Sequence, residues 1–188
     1  MTDYDNLSDI DDESDILDEL SELFDDLSID GPNAEQLFKM YGIFLNDIVK
    51  RPIVINGIPL SYNRNISKHP ICRGKLQAFE HIITRESKYK GIRDFDCERA
   101  NKVHWIRPII ENVSDSRIKY FERINEGRFN QQFYWYEAKG FIVIIREIKP
   151  DLMLITSFSV DINEKTKFKN WYNEYRGNLW QKKTPLRK

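Results

Sequence analysis

The chain has 188 residues, 40% of them apolar and 13% aromatic, enough for one ordinary core with a short appendage. Its formal charge of −1 hides a split: residues 1 to 38 carry fourteen acids and no Lys or Arg, which leaves sixteen acids against 29 bases in the other 150 residues. A basic body behind an acidic arm fits polyanion binding. No apolar run approaches the roughly 18 to 20 residues of a membrane span, and no basic-then-apolar leader opens the chain, so a soluble cytoplasmic protein with no membrane partner is expected. Cys72 and Cys97 form no CxxC or Cys/His spacing, which argues against a disulfide framework and a zinc site; no metal and no cofactor is expected.

Residues 1–14 combine many charges with few large apolar groups, the composition of a segment that stays disordered. From Asp15, Ile16, Leu17, Leu20, Leu23, Phe24 and Leu27 recur at helical spacing with Asp18, Glu19, Glu22, Asp25 and Asp26 opposite, predicting an acidic amphipathic helix that Gly31-Pro32 stops. A loose calcium-loop pattern, Asp11, Glu13, Asp15 and Glu22, has Ile16 where the turn needs Gly, and is discounted. Asn33 and Gln36 form a capping pair for a second helix through Leu37, Phe38, Tyr41, Leu45 and Ile48 to about Val49. Asn56-Gly57 between apolar pieces predicts a small hairpin with a type I′ turn. The loop Ser61 to Gly74 is polar and basic, and Leu76, Phe79 and Ile83 mark a short helix after it.

Asp96 is a natural N-cap for a helix running to about Ile110, which Pro108 ends or kinks. Four β-rich runs follow: Ile118 to Arg123, Phe133 to Tyr136, Phe141 to Glu147 and Leu152 to Val160. Their short connections permit only hairpins, and Phe141 to Ile145, apolar on both faces, belongs at the centre of the sheet. Asn163 to Tyr175 closes the chain as a helix. The expected fold is α+β: N-terminal helices packed on a four-stranded antiparallel sheet with a C-terminal helix, preceded by an acidic helical arm. The expected organisation is an acidic arm over 1–32, a helix and hairpin over 33–65, and a basic domain over 66–188.

Several stretches carry a resemblance. His69-Pro70, Phe79-Glu80-His81-Ile82-Ile83-Thr84-Arg85-Glu86, Asp96 to Ala100, Trp105-Ile106-Arg107-Pro108-Ile109-Ile110 and Ile118-Lys119-Tyr120-Phe121 together resemble a phage-associated branch of the barnase, EndoU, colicin and RelE nuclease superfamily. Phe133 to Tyr136, Phe141 to Ile145 and Leu154 to Phe158 with Asp161 extend it, so that it spans roughly residues 66 to 176. It implies a small metal-independent RNase, often a toxin, with helices on one face of an antiparallel sheet and RNA on the other.

RNA cleavage without metal requires a base for the ribose 2′-OH, cations around the phosphate and an acid for the leaving oxygen. His81, beside Thr84, Arg85 and Glu86, is the first candidate for base or acid, because imidazole titrates near neutrality. His69, held extended before Pro70, is the second, and His104 beside Trp105 reads as packing. Arg85 and Arg99 are the phosphate ligands by chemistry, since guanidinium binds phosphate bidentately. Thr156 or Ser157 donates to phosphate; strand alternation lets only one face the substrate. Tyr134 and Tyr136 share one strand face and Phe133 and Trp135 the other, so an exposed tyrosine pair would stack RNA bases, with Lys139 and its basic neighbours Lys119, Arg123, Arg128 and Arg146 nearby. The expected function is thus an endoribonuclease acting on tRNA or mRNA through a 2′,3′-cyclic phosphate, its arm regulating the cleft or recruiting a protein. The alternatives are a non-catalytic factor that binds RNA or a host protein, and an acidic nucleic-acid mimic on a nuclease-like scaffold.

Overall fold

The computed structural model describes residues 15–176, and its first surprise is the acidic segment. Residues 15–33 are turn and extended chain rather than a helix. The apolar residues that gave the helical spacing are used as anchors: Leu17 is 1% exposed and Leu20 is also buried, with Leu23, Phe24 and Leu27 packed against the same core. Residues 1–14, where disorder is expected, and the basic end after residue 176 lie outside the described residues.

Helix α1, Ala34–Phe44, begins as its capping pair requires: Gln36 N–H donates to Asn33 Oδ1 at 2.9 Å and Asn33 N–H to Gln36 Oε1 at 3.0 Å. It buries Met40 and Phe44 and continues as a π-helical stretch, Leu45–Lys50, that buries Ile48. Phe38, expected on the buried face, is 80% exposed. Strands β1, Val54–Ile55, and β2, Ile58–Ser61, are joined through Asn56 and Gly57 at φ of 51° and 82°, the positive values of a type I′ turn. Helix α2 is Gln77–Ile83. A small hairpin the sequence did not signal follows, β3 (Thr84–Glu86) and β4 (Arg93–Phe95).

The single helix expected over Asp96 to Ile110 is three short pieces: α3 (Cys97–Ala100), a 3₁₀ turn (Val103–Trp105) and α4 (Ile106–Glu111). Asp96 caps the first, its Oδ1 accepting the Arg99 N–H at 3.2 Å. The break falls where the Asn101 side chain turns to bond the acidic segment. Pro108 neither ends nor kinks a long helix; it sits in the first turn of α4, where its missing N–H has no intrahelical partner to lose.

Strands β5 (Ile118–Ile124), β6 (Asn130–Tyr136), β7 (Phe141–Ile148) and β8 (Asp151–Ser159) form the antiparallel meander that the four runs predict, and α5 (Ile162–Tyr175) follows. The expected four-stranded antiparallel sheet is nevertheless wrong. β2 pairs in parallel with β8, Leu60 opposite Leu152 and Ser61 opposite Met153, and Ser61 Oγ donates to the Leu152 carbonyl at 2.7 Å. The sheet is therefore six-stranded, mixed and curled, in the order β1-β2-β8-β7-β6-β5.

Both faces of that sheet are covered. Ile118, Tyr134, Tyr136, Phe141, Val143 and Ile145 meet the helices and the acidic segment. On the reverse, Phe121, Phe133, Trp135, Ile142 and Ile144 pack against Phe168, with Trp171 and Tyr172 beside them, so α5 occupies the face that the nuclease resemblance leaves to RNA.

Candidate functional site

The loop over residues 65–70, α2 and the β3–β4 hairpin enclose a cleft of about 1040 Å³ that brings His69 and His81 together. A buried carboxylate builds it. Glu80 accepts the Ser67 hydroxyl at 2.7 Å, and Ser67 Oγ accepts the His69 N–H at 3.1 Å, which ties the loop to α2. Arg93 lies 3.9 Å from Glu80 and donates to Thr84 Oγ1 at 2.7 Å and to the Thr84 carbonyl at 2.8 Å, which ties β4 to the same place.

The two rings have different freedom. His69 Nε2 is 3.0 Å from the Arg93 carbonyl. A carbonyl only accepts, so Nε2 carries the proton, and Nδ1 is buried without a partner. His81 is half-buried on the cleft wall, and its ring makes no hydrogen bond among the described residues. Burial, and then the charge of Arg93, push its pKa below the ordinary 6.5. At neutral pH it is an uncharged imidazole with a nitrogen available to accept a proton. Lys68 and Lys90, both exposed, supply positive charge at the cleft, and Glu86 a carboxylate.

The other expected catalytic groups are elsewhere. In β3, alternation turns Arg85 away from the side that Glu86 and its partner Arg93 present to the histidines. Arg85 and Arg99 instead line a smaller pocket of about 330 Å³ with Phe158 and Asp161. Arg99 is engaged there: Nε donates to Asp96 Oδ2 at 3.1 Å, Nη1 to the Thr84 carbonyl at 2.9 Å, and the guanidinium lies 5.4 Å from the Phe158 ring centre. Thr156 Oγ1 donates to the His81 carbonyl at 3.1 Å, bracing α2 against β8.

Strand alternation also fails at a bulge in β8. Ile144 pairs with Thr156 and Ile145 with Leu154, leaving Ile155 as the extra residue. Ser157 therefore shares the core face with Leu154, and it is fully buried with no partner for its hydroxyl. It cannot reach a ligand from there. Tyr134 and Tyr136 are likewise buried, their hydroxyls donating to Gln132 Oε1 at 3.0 Å and the Leu17 carbonyl at 3.4 Å, so neither forms the exposed stacking pair. Lys139 is exposed in the β6–β7 turn and does not line the histidine cleft. Lys119 pairs with Glu137, and Arg123 lies 4.2 Å from the Trp171 ring centre, so these cations stack on the α5 side instead of lining an open sheet face.

The acidic segment, from Asp15 on, does not cover the histidine cleft. Three of its exposed carboxylates are tied to the body: Arg117 bonds Asp18 at 2.7 Å and Asp15 at 2.5 Å, and Gln36 Nε2 donates to Asp26 at 2.9 Å, while Glu19, Asp25 and Asp30 also stand exposed. Missing from the sequence-level candidates were Glu80 in α2, and Lys90 and Arg93 on the β3–β4 hairpin, which no sequence motif had marked.

No family model, curated protein or solved structure matches the chain. Among the described residues no three His, Cys, Asp or Glu side chains group as metal ligands, and no helix is long and apolar enough to cross a membrane.

Proposed function

We propose that the chain is a metal-independent endoribonuclease that works in the His69–His81 cleft. The observation that carries this is His81: an unbonded imidazole, held neutral by burial and by Arg93, facing a cleft flanked by Lys68 and Lys90. In the reaction, His81 takes the ribose 2′-OH proton and the 2′ oxygen attacks phosphorus. The bond to the 5′ oxygen breaks, leaving a 2′,3′-cyclic phosphate, and that oxygen takes a proton from solvent or from Lys90. Lys68 and Lys90 offset the charge that builds on the phosphate oxygens. His69, with Nε2 committed to a carbonyl and Nδ1 buried, shapes the cleft wall. Arg99 and Thr156 brace the elements that carry His81.

A non-catalytic RNA binder using the same cleft is the second reading, favoured by the tied-down Arg93 and His69. Digestion of total cellular RNA in EDTA separates the two. Cleavage by the intact chain that is lost in His81→Ala supports the enzyme; RNA retention on a filter without cleavage supports the binder; neither cleavage nor retention removes both.

A further inference from the structure

The curled sheet ends in two edge strands, β1 and β5. Between them, closed at one end by α4, lies a separate cavity of about 580 Å³, within the range of small-molecule sites. Ile53 and Ile110, both buried, form its walls, and Val54 and Val113, 60% and 38% exposed, stand at its rim. They give the opening an apolar rim.

The opposite wall is polar in a way the core does not require. Along the core-facing side of β5 and β6, successive cross-strand pairs run Ile118–Tyr136, Tyr120–Tyr134 and Glu122–Gln132, so the apolar layer gives way to hydroxyls and then to a carboxylate. Glu122 is held in place: Oε1 accepts the Tyr120 hydroxyl at 2.7 Å and Oε2 the Asn130 amide at 2.9 Å. Among the described residues it has no salt bridge, and the cavity lining contains no Lys, Arg or His. Glu111, the other lining carboxylate, already pairs with Arg107. A fixed carboxylate without a counter-ion at the end of an apolar cavity complements a cation with an apolar body.

We propose that this cavity binds a small organic ammonium compound, with the ammonium group on Glu122 and the apolar body against Ile53 and Ile110. The site is distinct from the histidine cleft, and its occupancy does not depend on the nuclease activity.

Isothermal titration of the full chain with 2-phenylethylammonium, and in parallel with the similarly sized anion 3-phenylpropionate, tests it. Saturable one-to-one binding of the amine alone is expected, weakened by roughly tenfold or more in Glu122→Gln. Ser114→Trp, placed at an exposed lining residue away from the core, narrows the opening and is expected to weaken binding as well, which keeps the test decisive if Glu122→Gln does not fold. Absence of amine binding, equal binding of the anion, or an affinity unchanged in both variants overturns the proposal.

Discussion

Asn101 closes both backbone groups of Phe24: its Oδ1 accepts the Phe24 N–H at 2.8 Å, and its Nδ2 donates to the Phe24 carbonyl at 2.8 Å. The neighbouring Asn101 carbonyl accepts the Leu23 N–H at 3.0 Å, and Trp105 Nε1 donates to the Ser21 carbonyl at 2.8 Å. These bonds satisfy the backbone of a segment that has no helix or sheet of its own. They make the acidic stretch from Asp15 a fixed strap of the body.

Asn101→Ala removes both Phe24 bonds and leaves their backbone partners without a protein ligand. Destabilisation of about 2 to 3 kcal/mol is expected, at one net hydrogen bond of about 1 kcal/mol each plus the desolvation left behind. Urea unfolding followed by tryptophan fluorescence measures it, with limited proteolysis near Phe24 rising in parallel. A midpoint unchanged from the parent would show that the clasp carries no stability.

Leu17→Ala empties a fully enclosed site between the strap and the sheet, and a cost of about 2 to 4 kcal/mol is expected. A chain starting at Pro32 loses Leu17 and Leu20 together and uncovers the core, so it should melt earlier and gain no nuclease activity. A truncated form that is as stable as the parent and more active would restore the arm as a detachable inhibitor.

Acid stability carries two signatures. Burial lowers the pKa of His81 and of His104 below 6.5, so between that pH and their folded values the unfolded chain binds more protons than the folded one. Stability should fall as pH drops below about 6.5, and His104→Gln should flatten part of that slope in pH-dependent urea melts. Separately, hydrogen bonds from Arg117 hold the Asp115 carboxyl near 2 against an ordinary 3.8. That depressed value makes its contribution present above 3.8 and lost as pH falls toward 2. Because the cluster is open to solvent, salt should diminish it. Arg117→Ala should remove the lower-pH phase alone.

Caps and tight turns that close on their own neighbours were legible in the sequence, whereas apolar spacing alone was not enough, since residues 15–33 form no helix. Asn33 and Gln36 announce their cap, Asn56-Gly57 its turn, and the runs from Ile118 to Val160 their hairpins, because each pattern is satisfied within a few residues. The parallel pairing of Leu60 with Leu152 is set by a contact some ninety residues apart, and it alone converts the expected four strands into six. Alternation showed correctly that Tyr134 and Tyr136 share a face, yet whether a face is covered depends on what packs there; the strap and helices bury one and α5 the other. His69 and His81 were each legible as candidates. Their meeting depends on the buried Ser67–Glu80 hydrogen bond, and the separation of Arg85 from them on the hairpin that Arg93 anchors.

The most direct test of the central claim follows one phosphodiester through the reaction. A short single-stranded RNA is incubated with the full chain in EDTA, and the products are read by phosphorus NMR beside the same RNA carrying 2′-O-methyl groups. The expected result is a 2′,3′-cyclic phosphate signal from the unmodified RNA only, with a rate that rises with pH and is half-maximal below 6.5, as the lowered pKa of His81 requires, and that is lost in a folded His81→Ala variant. An intact RNA, or cleavage that persists in that variant, would contradict the assignment of the histidine cleft as a catalytic site.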